Sequence, residues 1–479
     1  MDFGKIKEGG LFINSIKKNF LYNAFYNVLT LIIPLVTTPY ISRIMGAERI
    51  GIYSYAYSIA TYFGLFILLG LNNYGNRTIA SVRDDKNQLS KTFCSIYAMQ
   101  LIMSLIVIVI YVTYVLFLAS DQLMAWIQLI YLISVALDIN WFFFGMEQFK
   151  LTVTRNTIIK ILNLIFIFIL VKSKSDLYIY GLIMVCGPLL SQFILWMFIK
   201  KYVMFKKVSL SDIGQHIKPN LILFIPVIAI SLYTIMDRVM LGMMSSMTEV
   251  GYYENSNKLT QIPVMAISSL GTVMLPRISN MISNGKKEES IRYIQKSLIV
   301  SVLLSTSMAF GLCAVSNEFV PIFYGSGFDK CKDVISILVL SSIFISWANV
   351  IRTQYLIPNK KDKIYIVSVF LGAIVNVGIN FVLIPKLMSI GAAIGTICAE
   401  FIVCAYQTYK VRNELDIKLY IKQSAPLLLV SIVMCFIVLC VPSIKNTFIT
   451  LAVKVLTGII AYVFLLIIFC RKELVKIIK

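Results

Sequence analysis

Histidine occurs once in the 479 residues, at His216, so neither a His-based catalytic triad nor a His metal cluster can be assembled within one chain. The nine cysteines are scattered, mostly within apolar runs, with no CxxC spacing. They read as small buried hydrophobes and not as a disulfide framework or metal site, and no cofactor is expected. Charge is scarce too: Asp, Glu, Lys and Arg make up 14% of the chain, where a soluble domain carries about a quarter. Long polar insertions are missing as well. The longest connection assignable to the outer face is the region from Ser316 to Lys332. Without a large outer loop, a nucleophile with its base, or a metal cluster, catalysis of the kind a membrane polymerase performs is not expected.

What is abundant is apolar surface. Hydrophobic residues make up 58% of the chain and the mean hydropathy is +0.83. Apolar runs of roughly 20 residues, enough to span about 30 Å of hydrocarbon as helix, recur from Phe20 to Phe469. They read coarsely as spans over 20–44, 51–72, 91–118, 122–144, 155–172 and 177–203, then 220–244, 249–274, 296–317, 333–356, 363–385 and 388–409, with two more over 423–441 and 447–470. The first run is too long for a signal-peptide core and lacks a small-residue cleavage site, so it is read as a transmembrane helix. The expectation is an all-α integral membrane protein of about 14 transmembrane helices. Residues 1–203 form one lobe, 204–219 a polar connector, 220–410 a second lobe and 411–479 an appended helix pair.

The 44 basic residues against 23 acidic ones give a net charge of +21, and their placement matters more than their sum. With the N-terminus assigned to the cytoplasm, one face collects Lys5, Lys7, Lys17, Lys18, Arg77, Arg83, Lys86, Lys91, the loop cations Lys150 and Arg155, Lys200, Lys201, Lys206, Lys207 and the later basic loops, ending with Arg471, Lys472, Lys476 and Lys479. The opposite face receives only Arg43, Arg49, Lys172, Lys174, Lys330, Lys332, Lys386 and Lys445. That asymmetry predicts both termini in the cytoplasm and attributes the basic excess to topology, not to nucleic acid.

The two sets of six helices look like copies. "GAERIGIYSY" (Gly46 to Tyr55) is echoed by "MTEVGYYENS" (Met247 to Ser256), placing Gly51 and Tyr53 opposite Gly251 and Tyr253 and, without a gap, Arg77 opposite Arg277. Trp141 and Gln148 share their spacing with Trp347 and Gln354. Each copy has an even number of helices, so the lobes would be related by a pseudo-two-fold along the membrane normal and could rock about a shared cavity. Pro34, Pro39 and Pro226 inside apolar runs permit bends, either static or working.

Charges inside apolar runs are costly and mark sites or structural pairs. The cations are Lys160, Arg238, Lys258, Arg352 and Lys454, with Arg43 at the outer end of the first run; the acids are Asp138, Asp237, Glu254 and Glu400. Asp237 and Arg238 point about 100° apart on a helix, so together they mark its protein- or water-facing side. Glu254 and Lys258 are spaced i to i+4, acid first, on the second arm of the same hairpin. Two readings stand side by side: a neutral network joining Arg238 and Lys258 to Glu254 or Asp237, and a binding site for an anion. Arg352 and Lys160 have a second reading as headgroup contacts. Asp138 and Glu400 have no neighbouring cation in sequence and are candidates for proton uptake or for a helix-to-helix hydrogen bond. Tyr26 and Asn27, with Tyr22 and Asn23, and Tyr53, Tyr55 and Tyr57 could line a sugar path, as could Asn376 and Asn380; interface anchoring and helix packing are the plainer roles. "GAAIG", Gly391 to Gly395, is a small-residue packing surface.

The stretches "NFLYNAFYNVLTLIIPLVTTPYISRIMGAERIGIYSYAYSIATYF", "DRVMLG" followed by "EVGYYENSNKL", and "FVLIPKLMSIGAAIGT" resemble the polysaccharide-transport branch, with its Wzx-type flippases, of the multidrug/oligosaccharidyl-lipid/polysaccharide superfamily. The resemblance implies a MATE-like fold and translocation of an undecaprenyl-pyrophosphate-linked oligosaccharide from the inner to the outer leaflet of the bacterial cytoplasmic membrane, for capsule, O-antigen or exopolysaccharide assembly. It also implies a cationic central cavity, alternating access and drive from an ion gradient, of protons or sodium, or from the membrane potential. Arg238, Lys258, Arg43, Lys160, Arg352, Asn27 and Tyr26 are the substrate-binding candidates; Asp237, Glu254, Asp138 and Glu400 form the coupling or charge network. The appended helices either bind a polysaccharide-assembly enzyme or close the lateral face of a bundle. A multidrug antiporter carrying organic cations is the nearest rival, although acids and aromatics suit such a cargo better than several cations do.

Overall fold

In the computed structural model the described backbone covers residues 3–471, and side chains are described at residue 30 and over 32–471, apart from Ala266, Leu270, Thr272 and Val273. Tyr26 and Asn27 lie outside the described residues, as do Tyr22 and Asn23. Sixteen α-helices follow in chain order: α1 (Phe3–Leu68), α2 (Leu71–Val82), α3 (Lys86–Phe117), α4 (Gln122–Ala136), α5 (Asn140–Gly145), α6 (Phe149–Leu170), α7 (Leu177–Ile199), α8 (Leu210–Thr234), α9 (Met236–Met244), α10 (Met247–Ser283), α11 (Lys287–Tyr324), α12 (Cys331–Val350), α13 (Asp362–Leu387), α14 (Ser389–Val411), α15 (Ile417–Leu439) and α16 (Thr447–Phe469).

Thirteen stretches among the described residues are long and apolar enough to cross a membrane. The first of these, 32–82, holds two spans, because Gly46 breaks α1 with φ 75 and ψ 171. Only glycine reaches that conformation without strain. The break falls in the register of Ser246, the N-cap that opens α10, so both halves of the sequence interrupt their helix at matched positions before Gly51/Tyr53 and Gly251/Tyr253. The surface is apolar as hydrocarbon requires: Leu105, Val109 and Ile110 of α3 and Ile459, Ile460 and Phe464 of α16 are all exposed.

The chain divides into two compact units, Met1–Ile228 and Ala229–Lys479, and the division falls within α8. In the first unit an aromatic core of Phe93, Trp141, Phe142 and Phe143 packs with Leu195 and Ile199. It supports a helix break at membrane depth between α4 and α5, where freed carbonyls would be costly. Gln100 Nε2 donates to the carbonyls of Val135 at 3.1 Å, Ala136 at 3.2 Å and Asp138 at 2.9 Å, and Trp196 Nε1 donates to Leu137 O at 2.9 Å. The span after the connector starts ten residues earlier than its hydropathy indicates, at Leu210. His216, read from sequence as a loop residue, is buried on α8 between the Tyr74 hydroxyl at 2.6 Å from Nδ1 and the Ser95 hydroxyl at 2.9 Å from Nε2.

In the second unit, α15 and α16 pack against α11. Gln295 Nε2 donates to Gln423 Oε1 at 2.7 Å, Ser431 Oγ to Thr306 Oγ1 at 2.9 Å, and Lys454 Nζ to Glu318 Oε1 at 2.7 Å. The connection read from sequence over the Ser316 to Lys332 region is shorter still: α11 runs to Tyr324 and α12 starts at Cys331.

Candidate functional site

The seventh span is broken at Ile235, between α8 and α9, just before Asp237 and Arg238. Asp237 therefore sits in the first turn of α9, where the helix dipole favours a negative charge. It is 1% exposed and accepts hydrogen bonds from three other helices: Asn380 Nδ2 of α13 at 2.6 Å, Thr396 Oγ1 of α14 at 2.9 Å, and the Tyr253 hydroxyl of α10. Three donors satisfy the carboxylate, with no cation in direct contact among the described residues.

Glycines make that convergence feasible. A Cβ on Gly391 would lie 2.6 Å from the Leu383 carbonyl oxygen, and one on Gly395 would lie 2.1 Å from Asn380 Oδ1. "GAAIG" is thus the expected packing surface, and it also shapes the surroundings of Asp237. Asn376 and Asn380 are fully buried, with Asn380 Nδ2 also 3.2 Å from Asn376 Oδ1. In this conformation they belong to the network around Asp237.

Arg238 points elsewhere. Its Nε lies 2.5 Å from Glu254 Oε2, and Lys258 Nζ lies 3.3 Å from Glu254 Oε1. Arg238 Nη1 also caps α8 through the Thr234 carbonyl at 3.3 Å. Side-chain exposures are 19% for Arg238, 15% for Glu254 and 35% for Lys258. One carboxylate is shared by two cations, so the trio carries a net positive charge on its accessible side, while the charge of Asp237 is enclosed behind it.

Arg352 lies in a single π-helical turn, Ile351–Leu356, at the end of α12, an irregularity frequent at functional positions. Its Nη2 donates to Asn349 Oδ1 at 2.7 Å and its guanidinium stacks 5.3 Å from the Tyr365 ring centre. It also interacts electrostatically with the buried Glu400. Asp138 accepts from Asn140 N at 2.7 Å and Asn140 Nδ2 at 2.6 Å. Asn140 Oδ1 in turn accepts from Arg155 Nη2 at 2.8 Å. Both acids that lacked a cation in sequence therefore have an arginine nearby in the fold. Lys160 Nζ donates to Thr30 Oγ1 at 2.7 Å, and Arg43 is exposed. Tyr53 is buried, stacked 5.9 Å from the exposed Tyr57, which meets Tyr131 edge-on at 5.2 Å.

Of the sequence candidates, the structure brings together Asp237, Arg238, Glu254 and Lys258, and separately Arg352 with Glu400. Arg43, Lys160 and Asp138 belong to the other unit. Tyr253 and Thr396, which bind Asp237, were not identified from sequence as site residues, although Tyr253 stood out as a repeat position. Arg155 was read as a loop cation, but it is buried one helical turn and more inside α6.

The sequence profile of the family described as "Polysaccharide biosynthesis protein" matches residues 16–282, more than half of the chain, and the MatE profile matches residues 223–382. The chain is 24% identical over 406 residues to the protein named "Putative O-antigen transporter" of Escherichia coli (strain K12), covering 84% of this chain and 97% of that one. It is 24% identical over 405 residues to the capsular polysaccharide biosynthesis protein CapF of Staphylococcus aureus, covering 82% and 99% respectively. Among solved structures, lipid II flippase MurJ in an inward closed conformation matches with a TM-score of 0.75 at 17% identity, over 95% of this chain and 99% of that one. The fold is shared with the lipid II flippase MurJ, and by its profile match this chain is a member of the polysaccharide biosynthesis protein family.

Proposed function

We propose that this chain is a flippase: it moves an oligosaccharide, linked through pyrophosphate to a polyprenyl lipid, from the inner to the outer leaflet of the bacterial cytoplasmic membrane by alternating access. The names of its relatives, an O-antigen transporter and a capsular polysaccharide biosynthesis protein, support the cargo class. The observation that carries the reading is the α9–α10 hairpin, where Arg238 and Lys258 share Glu254. A pyrophosphate needs cations, and a guanidinium fork suits its oxygens. When a phosphate draws Arg238 away, Lys258 still neutralises Glu254, so no buried carboxylate is left bare. Arg43, Lys160 and Arg352 are proposed as further phosphate or headgroup contacts, and Tyr26, Asn27 and the exposed Tyr57 as sugar contacts. The polyprenyl tail stays in lipid.

In this reading residues 1–203 and 220–410 are the rocking lobes, 204–219 links them, 411–479 is the appended pair, and both termini are cytoplasmic. Asp237 is the coupling position, loaded with a proton or sodium ion as co-transported cargo. Asn380 Oδ1 and Asn376 Nδ2 are buried without partners, and turning both amides over presents oxygens to a cation beside the carboxylate. Glu400 and Asp138, each near an arginine, adjust the charge around the site. The chain acts as a carrier, with no chemical step on the sugar.

The MatE match over residues 223–382 favours a second reading, an organic-cation antiporter. Proteoliposomes separate the two. The flippase reading expects exchange of a fluorescent lipid-linked oligosaccharide between leaflets and no uptake of ethidium against a gradient. Ethidium transport without lipid exchange would establish the rival.

A further inference from the structure

Within the second unit a cavity of about 490 Å³ lies between α12, α14 and α15, with α11 behind it, within the size range of small-molecule sites. Its wall is almost wholly apolar, with Trp347, Phe401 and Ile421 prominent, and Phe401 and Ile421 are half exposed at the rim. One feature distinguishes it from a packing defect. At its Lys/Arg-rich end stands Arg412, fixed over the Tyr409 ring at 3.7 Å and bonded to the Tyr409 carbonyl at 2.7 Å.

The dimensions identify the occupant. From Arg412 to Phe401 the slot follows eleven residues of α14, about 16 Å at the rise of an α-helix. That is half of the roughly 30 Å hydrocarbon core, the depth of one leaflet. It fits an acyl chain anchored at the Lys/Arg-rich surface, and a polyprenyl chain is far longer. Charge agrees. Lys410, Lys418 and Lys422, on the helix ends that flank the connection, are exposed and make this end of the unit basic without lining the slot. The two acids of the same connection are engaged, Glu414 with Lys361 and Tyr355, and Asp416 with the backbone N–H of Leu419 at 3.1 Å. Basic pockets between helices at this surface favour anionic lipid headgroups.

We infer that this slot is a binding site for one anionic phospholipid, its phosphate on Arg412 and one acyl chain along Trp347 and Phe401. The lipid fills the seam where the appended helix α15 joins the lobe, and the site holds whatever the cargo of the transporter.

The test uses the purified full-length chain in detergent, stripped of lipid and titrated with phosphatidylglycerol, phosphatidylcholine or undecaprenyl phosphate under native mass spectrometry. One phosphatidylglycerol should bind per chain, with a diazirine on its acyl chain cross-linking to α14 and α15. Arg412→Gln should weaken binding about tenfold, the scale of losing one charge-assisted hydrogen bond. Ala405→Trp, which fills the slot, should abolish it, and gel filtration identifies any variant that fails to fold. Equal affinity for phosphatidylcholine, cross-links elsewhere, or an unchanged affinity in Arg412→Gln would overturn the inference. So would undecaprenyl phosphate displacing phosphatidylglycerol from the same cross-linked peptides, which would give the slot to the carrier lipid.

Discussion

Asp237 and Arg238 are neighbours in sequence with opposite surroundings. The 100° turn between successive helical residues sends one into a shell of neutral donors and the other onto the Glu254 carboxylate. If Asp237 is the coupling position, Asp237→Asn should leave the protein folded and able to exchange lipid, but insensitive to proton and sodium gradients. Exchange measured with and without each gradient checks this; a variant as gradient-dependent as the parent would remove Asp237 from coupling. Gly395→Ala probes the same spot by sterics, since the added methyl would sit 2.1 Å from Asn380 Oδ1. It should displace Asn380 from Asp237 and weaken gradient dependence with Asp237 itself intact. The charges were legible in sequence because an ion in an apolar run stands out. Their partners were not: Asn380 and Thr396 reach Asp237 across 143 and 159 residues, and no local pattern reports such a contact.

At the scale of elements, hydropathy located nearly every span, because each must hide about 20 residues of backbone from lipid. It failed where polar residues occur inside helices. Asn317, Glu318 and Pro321 read as the start of a loop, yet they lie on α11, where Glu318 meets Lys454 of α16 at 2.7 Å, both nearly buried. Lys454, the one cation of the apolar runs not among the substrate-binding candidates, thus fastens the final helix to α11. Removing one partner of a buried pair costs about 3–5 kcal/mol, whereas replacing both by apolar residues is often neutral. Lys454→Met should lower the melting temperature in detergent clearly, and Lys454→Met with Glu318→Leu should recover most of the loss. Equal destabilisation by both would show that the ion pair is not what holds α16. A second link, between connections, joins Lys361 and Tyr355 to Glu414. These bonds hold the Glu414 carboxyl below its ordinary range. With the folded value below the unfolded one, the contribution is present above the ordinary glutamate range and is lost as pH falls through the folded value. Glu414→Gln should therefore destabilise the protein at pH 7 and make little difference at about pH 3, as thermal melts at the two pH values would reveal.

At the scale of the whole molecule, the net charge of +21 follows, in the proposed orientation, from basic loops gathered on one face, and the cations proposed to meet the cargo are the few inside the helices. The repeat was legible because matched breaks, at Gly46 and before Ser246, leave matched sequence behind them. The central claim is that the phosphorylated linker is what the cationic hairpin recognises. The direct measurement is leaflet exchange in proteoliposomes of one sugar-bearing polyprenyl lipid with its pyrophosphate, and of the same lipid with an uncharged linker, by the parent protein and by Arg238→Ala. The account predicts fast exchange only for the parent with the pyrophosphate lipid, reduced at least tenfold in Arg238→Ala, the scale of one charge-assisted contact. Equal rates for the charged and uncharged lipids, or for the parent and Arg238→Ala, would contradict it.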